Sequence, residues 1–230
     1  MGQKANPTGN RLGFIHGWKS LWFAPDKKTY ARYVYEDWFI RTYIKKRFVN
    51  AGIADIYIER PQVGNSVNII IETSRPGIII GRGGIEIEKL TQELKYLLKA
   101  DSLQIWIKEV KRPEIEPAII FENLANLIKN GVSYRRAINE VMEEAMRAGA
   151  KGIKIFISGR LAGAELARTE KFVMGRVPVS TLRADIDYYV DSFLTKLGLI
   201  GVKIWVYKGD VLGKRNLFLE FYDFKSPKGR

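Results

Sequence analysis

The apolar and polar positions in the first half of the chain follow first a helical and then an extended period. A helical period over about residues 28–51 predicts an amphipathic helix that Gly52 ends. Residues 53–59 and 66–73 are rich in β-branched side chains and predict two strands. After a glycine turn, a second helical period leads into an alternating run at residues 103–107. The predicted order is helix, strand, strand, short helix, glycine turn, helix and strand.

The second half shows two helical periods followed by three extended ones. The helical periods lie on either side of Gly131 and predict two helices. Alternating apolar residues then predict three strands, at residues 153–157, 184–190 and 202–206. Residues 159–178, between the first two of these strands, are long and basic for a connection, and long ordered loops are often functional. The predicted architecture is two helices against one face of a three-stranded sheet.

Composition limits the classes of function. The chain has no cysteine and a single histidine, His16, which excludes disulfides, thiolate metal sites and most histidine-based catalysis. It carries 38 Lys and Arg against 25 Asp and Glu. The net charge of +13 favours a polyanionic partner, either nucleic acid or an anionic membrane surface. No apolar run approaches the roughly 20 residues of a membrane-spanning helix, and the polar N-terminus predicts a cytoplasmic protein.

The stretch R-P-G-I-I-I-G-R-G-G-I-E, residues 75–86, contains the glycine turn. A dinucleotide-binding fingerprint would need glycine or alanine where Glu86 stands, and a P-loop would need Gly-Lys-Ser/Thr after Gly84. What remains is a Gly-x-x-Gly motif that joins a short helix, begun by Pro76, to a longer one. Inside a strand-helix-helix-strand unit this is the architecture of a KH domain, and the preceding helix and strand give the type II order.

Such a turn predicts RNA binding, because residues without side chains let peptide N–H groups approach phosphates closely. Arg82 adds a cation at the tip of the turn. Three isoleucines would form the apolar wall of a groove for roughly four nucleotides. The alternative for a glycine turn taken alone is a plain connection between two helices. The predicted loop and wall consist of Ile78, Ile79, Ile80, Gly81, Arg82, Gly83 and Gly84.

Five separated blocks resemble the bacterial family of small-subunit ribosomal protein S three. They are M-G-Q-K-A-N-P-T-G-N-R-L-G with W-K-S-L-W-F-A, R-P-G-I-I-I-G-R-G-G, S-G-R-L-A-G-A-E-L-A-R-T-E, V-S-T-L-R-A-D-I-D-Y and I-G-V-K-I-W-V-Y-K-G. The resemblance runs from Met1 to about Gly213. It implies a structural protein of the small-subunit head that binds 16S ribosomal RNA beside proteins S ten and S fourteen. It also implies a place in the lining of the channel through which messenger RNA enters, with proteins S four and S five.

The predicted fold is α+β with two domains, an N-terminal type II KH domain and a C-terminal α/β sandwich of two helices on a three-stranded sheet. The segment K-R-P-E-I-E-P, with two prolines, predicts the boundary between them. We expect an RNA-binding arm at residues 1–15, the KH domain at 16–111, the C-terminal domain at 112–212 and a tail at 213–230. The aromatic tail is expected to dock, either onto its own second domain or onto a neighbouring protein.

Further RNA contacts are expected from polar and basic residues outside the glycine turn. The N-terminal arm combines charge and amide donors with turn-forming residues, which suits a segment threaded along phosphates, whereas a frayed terminus is the alternative. Near Lys19, tryptophans would stack on RNA or dock under the KH domain. Basic residues of the resembling blocks and of the long connection complete the set. The expected residues are Gln3, Lys4, Asn6, Arg11, Lys19, Arg75, Arg160, Arg168, Arg176 and Arg183.

The segment Y-R-R-A-I-N-E resembles the part of the family in which a helix presents basic residues to incoming messenger RNA and helps to open its duplexes. Arg135 and Arg136 match that pattern, but Asn139 replaces its third basic position. Arg136 lies four residues before Glu140, a spacing suited to an intrahelical ion pair. Arg135 is therefore expected to be the freer of the two arginines, and a solvated helix face is the alternative for both.

Two classes of function remain: an RNA-binding structural component of the ribosome, and a nucleic-acid-processing enzyme that uses the KH unit to capture substrate. Asp185, Asp187 and Asp191 alternate like a metal site, but no histidine or further carboxylate is placed in sequence to complete a ligand shell. A solvated strand face is expected there, with no metal and no cofactor. Without a convincing catalytic constellation, the sequence favours the structural component.

Overall fold

A computed structural model describes residues 5–61 and 65–213 of the chain. These residues form two compact units, one spanning Lys19–Pro113 and the other combining the residues up to Trp18 with those from Glu114 onward. Each unit contains helices and a four-stranded sheet, so the predicted α+β fold with two domains is confirmed. Among the described helices, none is long and apolar enough to cross a lipid bilayer. Gln3, Lys4 and residues 214–230 of the predicted tail lie outside the described residues.

The first unit has the helix and strand order expected of a type II KH domain. Its sheet order is β1-β2-β3-β4, in which β2 is antiparallel to β3, while β1 and β4 run parallel to their neighbours. The two-residue strand β1 was not predicted. The elements are β1 (Ser20–Leu21), α1 (Lys27–Arg47), β2 (Ile53–Glu59), β3 (Ser66–Thr73), α2 (Pro76–Ile80), α3 (Ile85–Leu98) and β4 (Ser102–Glu109).

Helix α1 ends at Arg47, several residues before the predicted stop at Gly52. Phe48 leaves the helical conformation, with φ −114° and ψ 60°, and its side chain is buried. The core of the unit lies between the three helices and the sheet. Ile40 and Ile44 of α1 pack there with alternate residues of the strands and with Leu90 and Leu94 of α3. Ile79 of α2 belongs to the same core, so both helices that flank the glycine turn are held against the sheet.

The second unit has two helices on a sheet of four strands, so the predicted three-stranded sheet is corrected. The strand order is β6-β5-β8-β7, and all neighbours are antiparallel. The added strand β6 forms an edge inside the segment predicted to be a long loop. The elements are α4 (Pro117–Lys129), α5 (Tyr134–Arg147), β5 (Gly152–Gly159), β6 (Arg168–Gly175), β7 (Ala184–Thr195) and β8 (Gly198–Asp210).

Strand β6 was not predicted because an edge strand buries few side chains, so its apolar alternation is weak. Only Phe172 and Met174 of this strand pack against the helix-covered core, and Val173 between them is exposed. The central strands β5 and β8 bury apolar side chains at successive core-facing positions, among them Ile155, Val202 and Ile204. Alternation is therefore pronounced in the central strands and weak at the edge.

The N-terminal segment is fastened to the second unit by the buried side chain of Arg11. Its guanidinium donates to the carbonyl oxygens of Pro7 at 2.8 Å, Val179 at 2.9 Å, Thr181 at 2.8 Å and Ala184 at 2.6 Å. The side chain is fully buried, and burial lowers the pKa of Arg11 despite the nearby Asp185. The expected RNA contact of Arg11 is therefore corrected, because these donors serve the protein's own backbone. The expected separate arm at residues 1–15 becomes, from residue 5, part of the second unit.

Replacing Arg11 by alanine should destabilise the second unit by about 2–4 kcal/mol, because buried carbonyl groups lose their donors. Arg11→Lys should recover only part of this stability, since an ammonium cannot reproduce the planar fork. Denaturant unfolding of the full chain measures the effect. Asn10→Ala, at an exposed neighbouring position, is the control and should change stability by less than about 0.5 kcal/mol. Equal stability of the Arg11→Ala and Asn10→Ala variants would contradict the fastening role.

Candidate nucleic-acid interface

The glycine turn reverses the chain between α2 and α3 through backbone conformations that favour glycine. Gly81 has φ 72° and ψ −178°, Gly83 has φ 64° and ψ 18°, and Gly84 has φ 84° and ψ 2°. The Gly81 conformation is essentially restricted to glycine, while the other two are left-handed conformations that cost other residues roughly 1–2 kcal/mol. The sequence thus places glycine wherever the turn requires positive φ.

Gly81 also makes the closest approach within the turn. A Cβ atom at this position would lie 2.7 Å from Cγ of Glu86, 2.8 Å from its Cβ and 3.2 Å from its backbone nitrogen. At Gly83 and Gly84 the same atom would meet nothing within 4 Å. Gly81 is therefore required by packing inside the turn, whereas Gly83 and Gly84 leave open space into which a phosphate can approach.

The three isoleucines before the turn do not form one wall. Ile79 is fully buried in the core of the unit. Ile78 is 42% exposed and Ile80 is 38% exposed, although large apolar side chains are usually buried. The prediction that Ile79 lines the groove is thus corrected, because this residue belongs to the core. Ile78 and Ile80 remain as the apolar surface beside the turn.

The charges around the turn have both signs. Arg82 is exposed and forms no ion pair among the described residues. Arg75 is exposed and donates to the Asn50 carbonyl at 3.3 Å. The first turn of α3 carries Glu86 and Glu88, which oppose the attraction of a helix N-terminus for phosphate. Arg82 is accordingly the cation best placed to contact a phosphate at the turn.

Ion pairs neutralise one of these carboxylates. Glu86 lies 3.3 Å from Arg47 of α1 and 3.7 Å from Lys89. Arg47 also pairs with Glu93, which accepts a hydrogen bond from Tyr43 at 2.6 Å. These contacts fix α3 to α1 and balance part of the acidic charge behind the turn.

Two further predicted contacts near the N-terminus have partners within the protein. Lys19 pairs with Asp55, although its side chain remains 47% exposed. The side-chain oxygen of Asn6 accepts from the backbone N–H of Thr8 at 2.9 Å and of Gly9 at 3.4 Å. The Asn6 side chain therefore stabilises the turn at residues 6–9 through its oxygen, and its amide N–H groups are the donors that it can present to RNA.

A polar network links α5 to the edge strand β6. Tyr134 donates to Glu170 at 3.0 Å and accepts from Arg168 at 3.1 Å. Glu170 also lies 3.0 Å from Arg168 and 3.4 Å from Arg135. Burial alone would raise the pKa of Glu170, but the hydrogen bonds from Tyr134 and Arg135 hold it below its usual value. Glu170 thus brings together two arginines that were predicted separately as RNA contacts.

This network reverses the expectation that Arg135 is the freer of the two arginines at the start of α5. Arg135 is paired with Glu170 across to the neighbouring strand, whereas Arg136 is exposed and has no ion pair among the described residues. The expected pair between Arg136 and Glu140 is not formed, although the analogous pair between Glu143 and Arg147 is, at 3.5 Å. Sequence reasoning missed Glu170 because β6 was not recognised. Arg136 is therefore the freer cation.

The remaining predicted arginines are all exposed on the second unit. Arg160 donates to the carbonyl of Ala164 at 3.0 Å. Arg183 lies 3.4 Å from Asp210, while Arg176 has no ion pair among the described residues. These side chains stay accessible to a polyanion, and they are spread over separate segments of the unit.

One side-chain cluster departs from the expectation for the aspartates. Donor atoms of His16, Asp185 and Asp187 lie within 4.8 Å of one another, so a histidine does reach these carboxylates. Lys208 Nζ, however, lies 2.6 Å from Asp187 and 2.6 Å from Glu116. Burial alone would lower the pKa of Lys208, but the two carboxylates raise it overall. The Lys208 ammonium therefore already neutralises Asp187, one of the three members of this cluster.

Two family models and many individual proteins match most of this chain. The KH domain family model matches residues 39–115, and the model "Ribosomal protein S3, C-terminal domain" matches residues 124–206. A relative from Kosmotoga olearia, "Small ribosomal subunit protein uS3", is 49% identical over 94% of this chain and 98% of its own. Proteins of the same name are 48% identical in Caldicellulosiruptor bescii, over 94% of this chain and 96% of the relative. In Porphyromonas gingivalis the identity is 48% over 100% of this chain and 92% of the relative.

Alanine at Gly81 should destabilise the first unit by about 3 kcal/mol, because the glycine-only backbone conformation is strained and a Cβ would overlap Glu86. Alanine at Gly83 is the matched control and should cost roughly 1 kcal/mol, since space is open there and only left-handed strain remains. Denaturant unfolding of the two variants measures the difference. Equal destabilisation would show that Gly81 has no special role in the turn.

Proposed function

Because the chain belongs to the uS3 family of small ribosomal subunit proteins, we propose that it binds 16S ribosomal RNA in the subunit head and lines the channel through which messenger RNA enters. As a member of this family it is a structural constituent of the ribosome, with ribosomal RNA as its partner, and not an enzyme. The proposal adds the position in the head, the messenger contact and the residues that carry each contact.

The observation that carries the ribosomal RNA contact is the open backbone at Gly83 and Gly84 beside Arg82, which has no ion pair with any residue that the structure describes. A phosphate can approach the peptide N–H groups there without meeting a side chain. Exposed Ile78 and Ile80 supply apolar surface next to the turn, as a base that leaves its stack requires. The surfaces proposed for a phosphate and for a base thus lie side by side, as in the groove of a KH domain.

The messenger contact is supported by the exposed start of α5. Arg136 is free to meet a phosphate, and Arg135 is held in place by Glu170 while its side chain remains 66% exposed. Exposed ion pairs contribute little free energy, so Glu170 only slightly reduces the availability of Arg135 to RNA. Proteins S four and S five are the proposed neighbours at this channel, and S ten and S fourteen are the proposed neighbours in the head.

Replacing Arg82 and Gly83 by aspartates should weaken binding to 16S ribosomal RNA without unfolding the protein, because two anions would face the phosphate. The slope of log affinity against log salt should fall by roughly 0.7 for each phosphate that the loop no longer binds. Filter binding at several salt concentrations measures both quantities. Gln92→Glu with Lys95→Glu makes the same change in charge on an exposed part of α3 and should have a smaller effect. If the loop variant binds 16S ribosomal RNA with undiminished affinity, the turn only connects the two helices.

Replacing Arg135 and Arg136 by alanine should leave subunit assembly intact and slow ribosomes on messages with a stable hairpin ahead. Messages without structure should be translated at nearly the normal rate. Of the single variants, Arg136→Ala should account for the larger share, because Arg135 is shared with Glu170. Arg147→Ala, at the opposite end of the same helix, is the control. Equal slowing on both messages would rule out a role in unwinding.

A further inference from the structure

The sheet of the second unit has two different faces. Ile153, Ile155 and Ile157 of β5 point to the helices, as do Val202 and Ile204 of β8. Because side chains alternate along a strand, their neighbours point to the opposite side. We call this side the outer sheet face. Its central residues are Lys154, Phe156, Lys171, Tyr188, Lys203 and Trp205, as the strand register places them.

Aromatic rings form a continuous row across this face. The ring of Trp205 lies 5.1 Å from that of Phe156 and 5.0 Å from that of Tyr188, measured between centroids. Each of the three side chains is only partly buried. Aromatic residues usually contribute to a core when they cluster, but here the helices cover the other side of the sheet. The rings therefore keep partly exposed surface on this face, while Trp205 also packs against the small buried cluster of Ala184, Ile186 and Tyr207.

Lysines surround this row in a regular way. Phe156 lies directly opposite Lys171 of β6 and directly opposite Lys203 of β8. Both lysines are exposed, and neither has an ion pair among the described residues. Lys154 Nζ lies 4.7 Å from the Phe156 ring centroid and 4.9 Å from that of Trp205. An aromatic surface is thus flanked by cations on two neighbouring strands.

Carboxylates of the neighbouring strands do not balance these lysines. Asp185 and Asp187 of β7 approach His16. Asp210, at the end of β8, accepts a hydrogen bond from Tyr207 at 2.7 Å and lies 3.4 Å from Arg183. Two other carboxylates of the strands point to the helix side of the sheet. The register places Glu170 opposite Ile157 and Asp191 opposite Val202, and both of these apolar residues lie in the core beneath the helices. The outer sheet face therefore carries an excess of positive charge, which attracts an anion.

We propose that the outer sheet face is a second RNA-binding surface, on which an unpaired base stacks beside Phe156 and Trp205 while Lys171 and Lys203 contact flanking phosphates. Stacking of single-stranded bases on aromatic side chains of a sheet, with basic residues on the backbone, is a general mode of RNA recognition. The tail at residues 214–230 is a less suitable occupant, since it has five basic residues against two acidic ones. The proposal rests on the chain's function as an RNA-binding ribosomal protein and assigns a separate surface for it.

The test uses the full chain carrying Arg82→Asp and Gly83→Asp, so that the glycine turn no longer contributes. The probe is a fluorescent 12-nucleotide oligouridylate, whose binding is measured at several salt concentrations. Lys171→Glu with Lys203→Glu should weaken binding about tenfold and lower the salt slope by roughly 1.4, for two phosphate contacts. Lys129→Glu with Arg147→Glu makes the same change in charge on the exposed helix side of this unit and should weaken binding less than twofold.

Phe156→Leu tests stacking separately, because it keeps an apolar side chain and removes the ring. It should weaken binding several-fold without lowering the salt slope. Circular dichroism of each variant verifies that the sheet is intact. Equal affinity of the sheet and helix-side variants, or no binding of the probe when the glycine turn is disabled, would overturn the proposal. The contribution of the turn is measured in the otherwise unchanged chain, so the proposed function can stand or fail independently.

Ultraviolet crosslinking of intact small subunits gives a second measurement. Peptides that contain Phe156 or Trp205 should crosslink to 16S ribosomal RNA. Crosslinks from these peptides to residues 214–230 or to another ribosomal protein, in place of RNA, would show a different occupant and overturn the proposal.

Discussion

The two-residue period of the β-strand is the constraint on which both units depend, because it decides which side chains reach the helices. In the first unit it sends Ile69 and Ile71 of β3 into the core that fixes α1, α2 and α3. Those helices in turn hold the glycine turn between them. In the second unit the same period buries Ile155 and leaves Phe156 on the opposite side. The position of every proposed RNA contact on a sheet or beside it follows from this alternation.

Local patterns were sufficient to predict the central elements of both units. Strands β2, β3, β5 and β8 have marked runs of β-branched residues, and the helices around the glycine turn have clear apolar periods. The edge strand β6 could not be predicted in this way, since only Phe172 and Met174 enter the core from it. The end of α1 was also misplaced, because burial of Phe48 in the core ended the helix before Gly52 could. Tertiary packing thus overrode local preference at both places.

The candidate site was predictable where its chemistry is local and not where it depends on distant partners. The glycines of the turn were identified from their spacing alone, and their positive φ angles explain why those residues are needed. Arg11, by contrast, is an ordinary basic residue in sequence, and only the fold shows that its donors bond carbonyls near residues 179–184. Glu170 and His16 are similar cases, since each meets its partners from a separate segment of chain. A sequence shows that a residue is charged, but it does not show which group neutralises that charge.

The contact between Arg11 and Ala184 also sets an order of events during synthesis. The two residues are separated by 173 positions, so at about 5–20 residues per second Ala184 is synthesised roughly 9–35 s after Arg11. The whole first unit, Lys19–Pro113, is synthesised within that interval. The first unit can therefore fold as a continuous piece, while the second is completed only when its two parts of the chain come together. Until Ala184 has been made, the Arg11 guanidinium lacks the set of acceptors at residues 179–184 that it binds in the folded unit.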